Sequence, residues 1–548
     1  MKNSSKRFKT IFIALIILFT GFGSSNAQPL WNTMKKENTV LKVSAWFTAQ
    51  EVNKYLSTGA GLDDAIKWCK QYGITKVHLE AFGRGLYAKK EILIAARDKF
   101  LKEGFEVSSG VTTTQFGKNA VNGGDGVVEW TGSQCYTNKE TQAELQRLIE
   151  YTASMFDEII LDDWFFTQCQ CDECIRARGD MTWAKYYTTL MDKMSRERVV
   201  GPAHAINPKV KVIIKYPQWY DEYHIRGYDV VGEPAIFDGI WIGTEDRNFE
   251  YDKDKIGYEI GYNAYFNMRW LATLGKVGGG GWFDTGGDRT KVNTYIEQAR
   301  HTVLGGGSNM ILWSYSGHVA SPLKMEALSK ELPALIKLAK IVQARPIKGV
   351  SLVKPGNSDP FEEEWICSFL GELGIPFVPA SKVDEQAKSV VFPVQVLKDT
   401  DIVAKFGRMA NKGTPIVITD GFAKRFAVHI AYLNNANVSV LPVNGSPKTL
   451  LNIPRQQIKF YRDKLLAPFG LKFDAPAKVE LYLFGDDTFV VENINDESVD
   501  VSLDFQHVAS VAKILTLPED NANATLSQTG NSVKLHISPH TLVAVSYK

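Results

Sequence analysis

Residues 158–174 read EIILDDWFFTQCQCDEC, an apolar run that stops at two adjacent acids and leads into a C-x-C-x-x-C motif. A short apolar run that ends in charged residues is typical of a buried strand in a parallel sheet. Similar runs recur from residue 41 to residue 316, separated by amphipathic helical stretches such as 89–103, 139–155 and 291–304. Eight strands alternating with helices predict a (β/α)8 TIM barrel of the α/β class. We predict its strands at residues 41–47, 76–81, 105–113, 158–163, 211–216, 239–243, 277–284 and 309–316, with the sixth crossover near 262–274.

The N-terminal segment has the pattern of a signal peptide. Residues 1–27 carry four bases and no acid, and they contain the apolar run 11–19 followed by small residues up to Ala27. A run of this length is too short to span a bilayer, which needs about 20 residues. We therefore predict cleavage before Gln28 and export to a periplasm or beyond. An uncleaved membrane anchor is the alternative, and no other segment predicts membrane insertion.

The part of the chain that follows the barrel predicts two smaller domains. Residues 344–473 contain short strand-like runs and helices punctuated by proline and glycine, which indicates a small α/β domain of the flavodoxin-like type. Residues 474–548 contain only alternating strand-like runs, which indicates a C-terminal β-sandwich. The catalytic barrel then occupies residues 28–343.

Composition excludes several classes of function. The chain has 63 basic and 61 acidic side chains, and loss of residues 1–27 changes its formal net charge from +2 to −2. A near-neutral chain is not typical of a nucleic-acid-binding protein, which needs a dense basic face. No H-E-x-x-H, G-x-x-x-x-G-K-[ST] or dinucleotide fingerprint is present. We therefore predict no nucleic-acid partner and no organic cofactor, and we expect Gly278 to Gly281 to allow close approach of a substrate or a helix.

Four of the six cysteines form a pattern that can bind metal. Cys169, Cys171 and Cys174 follow the fourth strand, and Cys135 precedes them by one helix. Four thiolates on adjacent loops can close a tetrahedral, structural Zn²⁺ site. We predict structural zinc at these four residues. The exported setting also permits a disulfide, for which only Cys135 and one of the other three are comfortably spaced, so a disulfide or unmetallated thiols are the alternatives.

Acids stand at the ends of several strands. The fourth strand ends at Asp162 and Asp163, the sixth leads into Glu245, and the seventh ends at Asp284. Glycoside hydrolysis requires such a pair of carboxylates, one to protonate the leaving oxygen and one to attack the anomeric carbon or activate water. Proximity would raise the pKa of one of them, which keeps it protonated near neutral pH. Strand alternation directs one of Asp162 and Asp163 toward the barrel axis but does not decide which.

Other side chains near the strand ends predict a sugar-binding cleft on the same face of the barrel. Tryptophans suit stacking on sugar rings, and charged or hydroxyl groups suit contacts with sugar hydroxyls or an acidic sugar. The candidate substrate-binding residues are Trp46, Glu80, Trp164, Lys215, Tyr216, Trp282 and Trp313.

The order of barrel, small α/β domain and β-sandwich, together with Cys135 and the C-x-C-x-x-C motif, resembles the family 42 glycoside hydrolases of clan A. That resemblance implies a retaining enzyme with a structural zinc cluster beside its active site, and a homo-oligomer formed through the middle domain. It implies Asp163 as acid/base and Asp284 as nucleophile, although the family has Glu at both positions. Asp is one methylene shorter than Glu, so a wider carboxylate separation and inversion of configuration are also open.

The barrel also resembles a group of exported Bacteroidetes proteins of glycoside hydrolase type. The shared motifs are Leu-Asp-Asp before the cysteines, Ile-Lys-Tyr-Pro, Gly-Thr-Glu and Gly-Gly-Trp-x-Asp-x-Gly-Gly at successive strand ends. This likeness implies a glycan as the substrate.

Three alternatives to this assignment are open. The chain can follow the pattern of retaining α-galactosidases, in which Asp162 or Asp163 attacks and Glu245 protonates. It can be a catalytically inactive carbohydrate-binding barrel, since substituted catalytic positions are typical of one. A lyase or an esterase on the same scaffold is the third, although no G-x-S-x-G elbow is present.

Overall fold

The computed structural model describes residues 27–121, 132–247, 260–275, 277–287, 290–506, 512–515 and 523–547. The predicted signal peptide therefore lies outside the described residues, apart from Ala27. The first part of the chain forms a closed barrel of eight parallel strands, in which β1 pairs with both β2 and β8. The barrel strands are β1 (Lys42–Phe47), β2 (Lys76–Gly83), β3 (Glu106–Thr112), β4 (Glu158–Leu161), β5 (Lys211–Tyr216), β6 (Gly239–Gly243), β7 (Val277–Asp284) and β8 (Asn309–Trp313). The predicted TIM barrel is confirmed.

Two strands end at least two residues earlier than their sequence patterns predict. β4 ends at Leu161 because the backbone N–H of Asp163 donates to Oδ1 of Asp162 (2.8 Å) and so leaves the ladder. β8 ends at Trp313 because the chain turns away, and the backbone N–H of Ser316 donates to the Glu51 carboxylate (2.7 Å). Both acids of the Asp162–Asp163 pair therefore lie just beyond a strand rather than inside it.

Helices separate the barrel strands and continue into the second half of the chain. The first eight are α1 (Ala27–Lys36), α2 (Ala49–Tyr55), α3 (Gly59–Gln71), α4 (Lys90–Lys102), α5 (Lys139–Ala153), α6 (Asp172–Arg178), α7 (Trp183–Met194) and α8 (Gly201–Ile206). The later ones are α9 (Tyr262–Leu271), α10 (Val292–Leu304), α11 (Tyr315–Val319), α12 (Pro322–Ala344), α13 (Ile366–Gly371), α14 (Ile402–Lys412), α15 (Asp420–Arg425), α16 (Ile430–Leu433) and α17 (Arg455–Leu466). Among the described helices, none combines the length and the apolar character that crossing a membrane requires.

Alternate residues of each barrel strand point into the barrel, where large side chains form a packed layer. This layer consists of Trp46, Ile160, Ile213, Trp241, Trp282 and Ile311. Two glycines make room for its indoles, because a Cβ on Gly110 would lie 1.7 Å from the Trp46 ring and one on Gly280 would lie 2.1 Å from the Trp241 ring. A Cβ on Gly281 would meet Thr302 of α10 at 2.4 Å, so the glycine run of β7 admits both an interior side chain and a helix.

The second half of the chain contains a parallel sheet and two antiparallel sheets. The parallel strands β10 (Val350–Val353), β11 (Phe377–Ala380), β12 (Val390–Phe392), β13 (Ile416–Thr419) and β14 (Val438–Leu441) have the spatial order 2-1-3-4-5, which is flavodoxin-like. The antiparallel sheets form the predicted sandwich. One contains β9 (Ile347–Lys348), β16 (Val479–Phe484), β17 (Thr488–Asn493), β19 (Lys513–Leu515) and β22 (Thr541–Ser546). The other contains β15 (Leu471–Asp474), β18 (Val499–Phe505), β20 (Ala524–Thr529) and β21 (Ser532–Ile537).

Candidate active site

A cavity of about 190 Å³ opens at the carboxyl ends of the barrel strands. Eight of the residues predicted from the sequence line it, including all four candidate catalytic acids. The lining residues are Arg84, Asp162, Asp163, Trp164, Lys215, Gln218, Trp219, Glu245, Arg247, Trp282, Asp284 and Trp313.

Lys215 lies at the centre of the acidic group. Its ammonium Nζ donates to Oδ2 of Asp163 (2.9 Å) and to Oε1 of Glu245 (3.1 Å), and it lies 3.9 Å from Oδ1 of Asp162. The same nitrogen lies 4.3 Å from the centre of the Trp282 ring, on whose face a cation is attracted. Oδ2 of Asp163 and Oε1 of Glu245 each lie about 3 Å from this nitrogen, so these two oxygens lie no more than about 6 Å apart.

The three carboxylates around Lys215 differ in their surroundings. The side chain of Asp163 is 12% exposed, against 7% for Glu245 and 4% for Asp162. Oδ1 of Asp162 accepts from the backbone N–H of Asp163 (2.8 Å), and its Oδ2 lies 3.0 Å from the hydroxyl of Thr112, whose one proton is shared with Glu80. Oε2 of Glu245 has no hydrogen-bond partner among the described residues. Glu245 therefore has a fully buried oxygen that is left to carry a proton.

Burial and charge set the ionisation of this group. Burial raises the pKa of Glu245, which the Lys215 ammonium partly opposes. Burial and the neighbouring Asp163 raise the pKa of Asp162 well above its usual range. Burial lowers the pKa of Lys215, but its carboxylate neighbours outweigh this and raise that pKa above the ordinary value. Lys215 therefore stays protonated, and the raised pKa values of Asp162 and Glu245 favour the protonated form of these acids.

Asp284 has partners of its own in the cavity wall. Its Oδ2 accepts from the Arg247 guanidinium (3.0 Å), and its Oδ1 accepts from the backbone N–H of Gly286 (2.7 Å). Arg247 lies two residues beyond Glu245 and lines the same cavity. The structure therefore divides the predicted acids into a group around Lys215 and an Asp284–Arg247 pair.

The structure does not bring three of the predicted substrate-binding residues to the cavity. Trp46 is fully buried beneath Trp282, with ring centres 4.5 Å apart. Tyr216 follows the inward-facing Lys215 and therefore points outward, where its hydroxyl donates to Glu233 (3.1 Å). Glu80 is buried and accepts from the backbone N–H of Ala49 and the Thr112 hydroxyl, while burial raises its pKa to about 7.

Four residues of the cavity wall were not among the candidate site residues: Arg84, Gln218, Trp219 and Arg247. Strand alternation offers a signal for Arg247, because a residue two positions after Glu245 points to the same side of an extended chain. Arg84 lies in the turn after β2, where its guanidinium approaches the Trp313 ring to 5.7 Å. No local pattern indicated that position.

The four predicted cysteines meet beside this cavity and are all buried. Sγ of Cys135 lies 3.6 Å from those of Cys171 and Cys174, which lie 3.7 Å from each other, and Cys169 completes a group within 4.8 Å. Sulfurs around a tetrahedral ion with bonds of about 2.3 Å stand about 3.8 Å apart, whereas a disulfide needs about 2.05 Å. The cluster can hold a metal ion, and its four thiols are unbridged.

Polar groups around this cysteine cluster suit sulfur that carries negative charge. The backbone N–H of Val121 donates to Cys169 (3.3 Å), the Lys118 ammonium lies 3.8 Å from the sulfur of Cys171, and the Thr137 hydroxyl lies 2.9 Å from that of Cys174. Partners of this kind orient metal ligands and tune their basicity.

Two family models match the chain. One, described as the catalytic domain of a probable glycosyl hydrolase, matches residues 28–331, which is more than half of the chain. The other, described as the C-terminal domain of a probable glycosyl hydrolase, matches residues 470–547. The first match spans the barrel, and the second spans the antiparallel sheets.

A curated relative and several solved structures are also similar. An uncharacterised protein of Saccharolobus solfataricus is 24% identical over 410 residues, which are 69% of this chain and 65% of the relative, so the chain spans about two thirds of that protein. A GH5_18 enzyme from Streptomyces cattleya aligns at 10% identity and a TM-score of 0.38, over 75% of this chain and all of the other. A rhamnosidase from Novosphingobium sp. PP1Y aligns at 9% identity and a TM-score of 0.41, over 76% of this chain and 48% of the rhamnosidase. Alignments this loose do not bear on function.

Proposed function

The chain belongs to the probable glycosyl hydrolase family, and from that premise we propose that it hydrolyses glycosidic bonds with Asp163 and Glu245. One observation carries the assignment: these two carboxylates, from the ends of β4 and β6, flank a single buried ammonium at the floor of the cavity. Glycosidases work with such a pair on either side of the scissile bond.

The surroundings of the two acids support different roles for them. Asp163 is the more exposed and its side chain is held by Lys215, while its backbone carbonyl accepts from the Tyr228 hydroxyl (2.5 Å), so its position facing the cavity is fixed. Glu245 has a raised pKa and an unpartnered oxygen, so it suits the general acid. Asp163 then serves as the nucleophile, which is the α-galactosidase-like order of roles.

The reaction follows from these positions. Glu245 gives its proton to the glycosidic oxygen as the C–O bond breaks, and Asp163 bonds to the anomeric carbon. Lys215 stabilises the carboxylate that forms on Glu245, since its ammonium is already within hydrogen-bond distance. A water molecule then gives a proton to Glu245 and displaces Asp163, which restores both groups.

The separation of the two acids supports retention of configuration. Retaining enzymes place their carboxylates about 5–5.5 Å apart, whereas inverting enzymes need about 6.5–9.5 Å to admit a water. Oδ2 of Asp163 and Oε1 of Glu245, the two oxygens that share Lys215, lie no more than about 6 Å apart, which is below the inverting range. We therefore propose retention, which replaces the inverting alternative that two shorter Asp residues at strands four and seven would favour.

The cavity walls support a sugar as substrate. Trp164, Trp282 and Trp313 present indole rings to the cavity, and Arg84 and Arg247 present guanidinium groups. Flat apolar faces between charged donors match a sugar ring, which has apolar C–H faces and a rim of hydroxyl groups. Because the Arg247 guanidinium donates to the Asp284 carboxylate, we assign to Asp284 the role of positioning that guanidinium for the substrate.

We further propose that Cys135, Cys169, Cys171 and Cys174 bind one structural Zn²⁺. The sulfur spacing and the unbridged thiols support zinc over a disulfide. The ion would supply no chemistry to the reaction. It would tie the loop after β4, which carries Asp163 and Trp164, to the start of α5, as the family 42 likeness implies.

We also propose export of the mature chain, on the pattern of residues 1–27. The test is the N-terminus of the protein purified from the periplasm or medium of expressing cells. A start at Gln28 is expected, and a retained Met1 in the membrane fraction would contradict export.

Trapping of the covalent intermediate tests the catalytic assignment. Aryl glycosides of different sugars first identify a substrate, and the matching 2-deoxy-2-fluoro glycoside with a good leaving group then labels the nucleophile for peptide mass spectrometry. We expect the label on Asp163, and its loss in Asp163→Asn. A label on Asp284 would instead support the strand-four and strand-seven pair. Binding of sugars by calorimetry without turnover of any glycoside would show an inactive carbohydrate-binding barrel and overturn the proposal.

A further inference from the structure

A second group of metal-ligating side chains lies buried between the barrel and the C-terminal sheet. His301 is on α10 of the barrel, and Glu480 and Glu492 are on the neighbouring strands β16 and β17. Nε2 of His301 lies 3.1 Å from Oε2 of Glu480 and 3.3 Å from Oε2 of Glu492. Ligands of a tetrahedral ion with N and O bonds of about 2.0–2.1 Å stand about 3.3 Å apart. The spacing therefore matches a shared ion.

The other side of the histidine ring is fixed as it is in metal sites. Nδ1 of His301 lies 2.8 Å from Oδ2 of Asp246, which is also fully buried. A histidine that binds metal through one ring nitrogen usually donates its other N–H to a carboxylate, which sets the tautomer and the ring orientation. With a metal ion bound, the proton would stay on Nδ1 and the Nε2 lone pair would face the ion beside Glu480 and Glu492.

An unpartnered carboxylate points into the same space. Glu372 is 1% exposed, and neither of its oxygens has a hydrogen-bond partner among the residues the structure describes. Oε1 of Glu372 and the unpartnered Oε1 of Glu480 lie 3.5 and 3.6 Å from the point where a Cβ would stand on Gly261, and Cε1 of His301 lies 3.1 Å from it. Burying a carboxylate without a partner is unfavourable, so this space is suited to a cation.

The cluster contains more acidic than basic side chains. Four buried carboxylates, Asp246, Glu372, Glu480 and Glu492, surround one histidine. The nearby guanidinium of Arg300 is shared between Glu492 (3.2 Å) and Glu331 (2.8 Å). Fully ionised, the four carboxylates would exceed the charge of a protonated His301 and a shared arginine, and a divalent cation would balance them in place of bound protons.

We propose that His301, Glu480 and Glu492 bind a divalent transition-metal ion, with Glu372 as the nearest further donor. One imidazole nitrogen with carboxylate oxygens suits Zn²⁺, Mn²⁺ or Co²⁺ rather than a soft ion. The ion joins the C-terminal sheet to the barrel. It also holds, through His301, the acid Asp246 that directly follows Glu245 in the chain. The site is separate from the cysteine cluster and does not depend on the proposed hydrolase activity.

Metal counting in the full-length mature protein tests the proposal. Wild type and Glu480→Gln are purified from cells grown with added cobalt, and metal per chain is measured by elemental mass spectrometry. The visible spectrum separates the two sites, because only cobalt bound by cysteine gives a strong thiolate charge-transfer band. Glu331→Gln is the matched control, since it removes a carboxylate next to Arg300 that does not face His301.

The expected result is the loss of one equivalent of cobalt in Glu480→Gln, with the charge-transfer band unchanged and with full metal content in Glu331→Gln. Parallel preparations with zinc and manganese identify the preferred ion. Near-ultraviolet circular dichroism checks folding, and Glu492→Gln replaces the first variant if that variant misfolds. Equal metal content in wild type and in a folded Glu480→Gln or Glu492→Gln protein would overturn the proposal and leave an ion-pair network around a protonated histidine.

Discussion

Replacing Lys215 with methionine removes the one ammonium that Asp162, Asp163 and Glu245 share. At an effective dielectric constant of about 20, each of the two contacts near 3 Å is worth about 5 kcal/mol of Coulomb attraction, much of which offsets the desolvation of the charges. Removing one partner of a buried ion pair typically costs about 3–5 kcal/mol. At about 2 °C per kcal/mol for a large domain, the barrel should unfold about 6–10 °C earlier at pH 7.

The loss of stability in Lys215→Met should depend on pH. Burial raises the pKa of Asp162 and of Glu245, so these two acids bind more protons in the folded protein than in the unfolded chain, and their contribution to stability rises as the pH falls from 7 toward 5. Without the ammonium these pKa values rise further, so acidification should increase the free energy of unfolding more in the variant than in wild type. One additional proton is worth about 1.4 kcal/mol for each pH unit, so the difference in Tm should narrow clearly by pH 5.5.

Differential scanning calorimetry at several pH values measures both effects, and turnover of the identified glycoside is measured beside it. Lys354→Met is the matched control, because Lys354 is an equally buried lysine that pairs with one carboxylate, Asp221 (3.3 Å), outside the cavity. That variant should lose stability but keep its turnover per folded molecule, whereas Lys215→Met should lose both. A Tm within about 2 °C of wild type, which corresponds to about 1 kcal/mol, or a difference that is the same at pH 7 and pH 5.5, would refute the reasoning.

Other outcomes follow from the same site. Glu245→Gln should lower kcat about 100-fold or more on aryl glycosides with poor leaving groups and far less on those with good ones, because only the former need protonation. The rate should fall as the pH rises through the raised pKa of Glu245, and this basic limb of the kcat/KM profile should disappear in the variant. Asp163→Asn should lose about 100-fold or more in kcat while Asp284→Asn keeps more than about a tenth, and steady-state assays giving the reverse order would contradict the assignment. Cys174→Ser should lose one equivalent of zinc by elemental analysis and unfold at a lower temperature, and an unchanged zinc content would exclude the cysteine site.

Local patterns in the sequence were sufficient for the architecture. The eight apolar runs and the helices between them predicted the barrel, because a side-chain period of two and a period of 3.6 are properties of a few consecutive residues. The C-x-C-x-x-C motif predicted the cysteine cluster for a similar reason, since three of its members lie within six residues. The ends of β4 and β8 were misplaced, because single side-chain contacts decide where a ladder stops.

The pairing of charged groups was decided by the tertiary structure alone. Which acids meet Lys215 depends on how β4, β5 and β6 align around a closed barrel, and this relation joins residues 30 and 52 positions apart. The same closure leaves Asp284 with Arg247 and turns Tyr216 away from the cavity.

The contacts between the barrel and the C-terminal sheet had no trace in any local pattern. His301 meets Glu480 across 179 positions of the chain, only because the C-terminal sheet packs on a barrel helix. A sequence thus determined which residues are strands, helices and candidate ligands, because those properties arise from near neighbours. The sites themselves arise where distant segments exclude water together, and that placement follows from the packing of the whole chain.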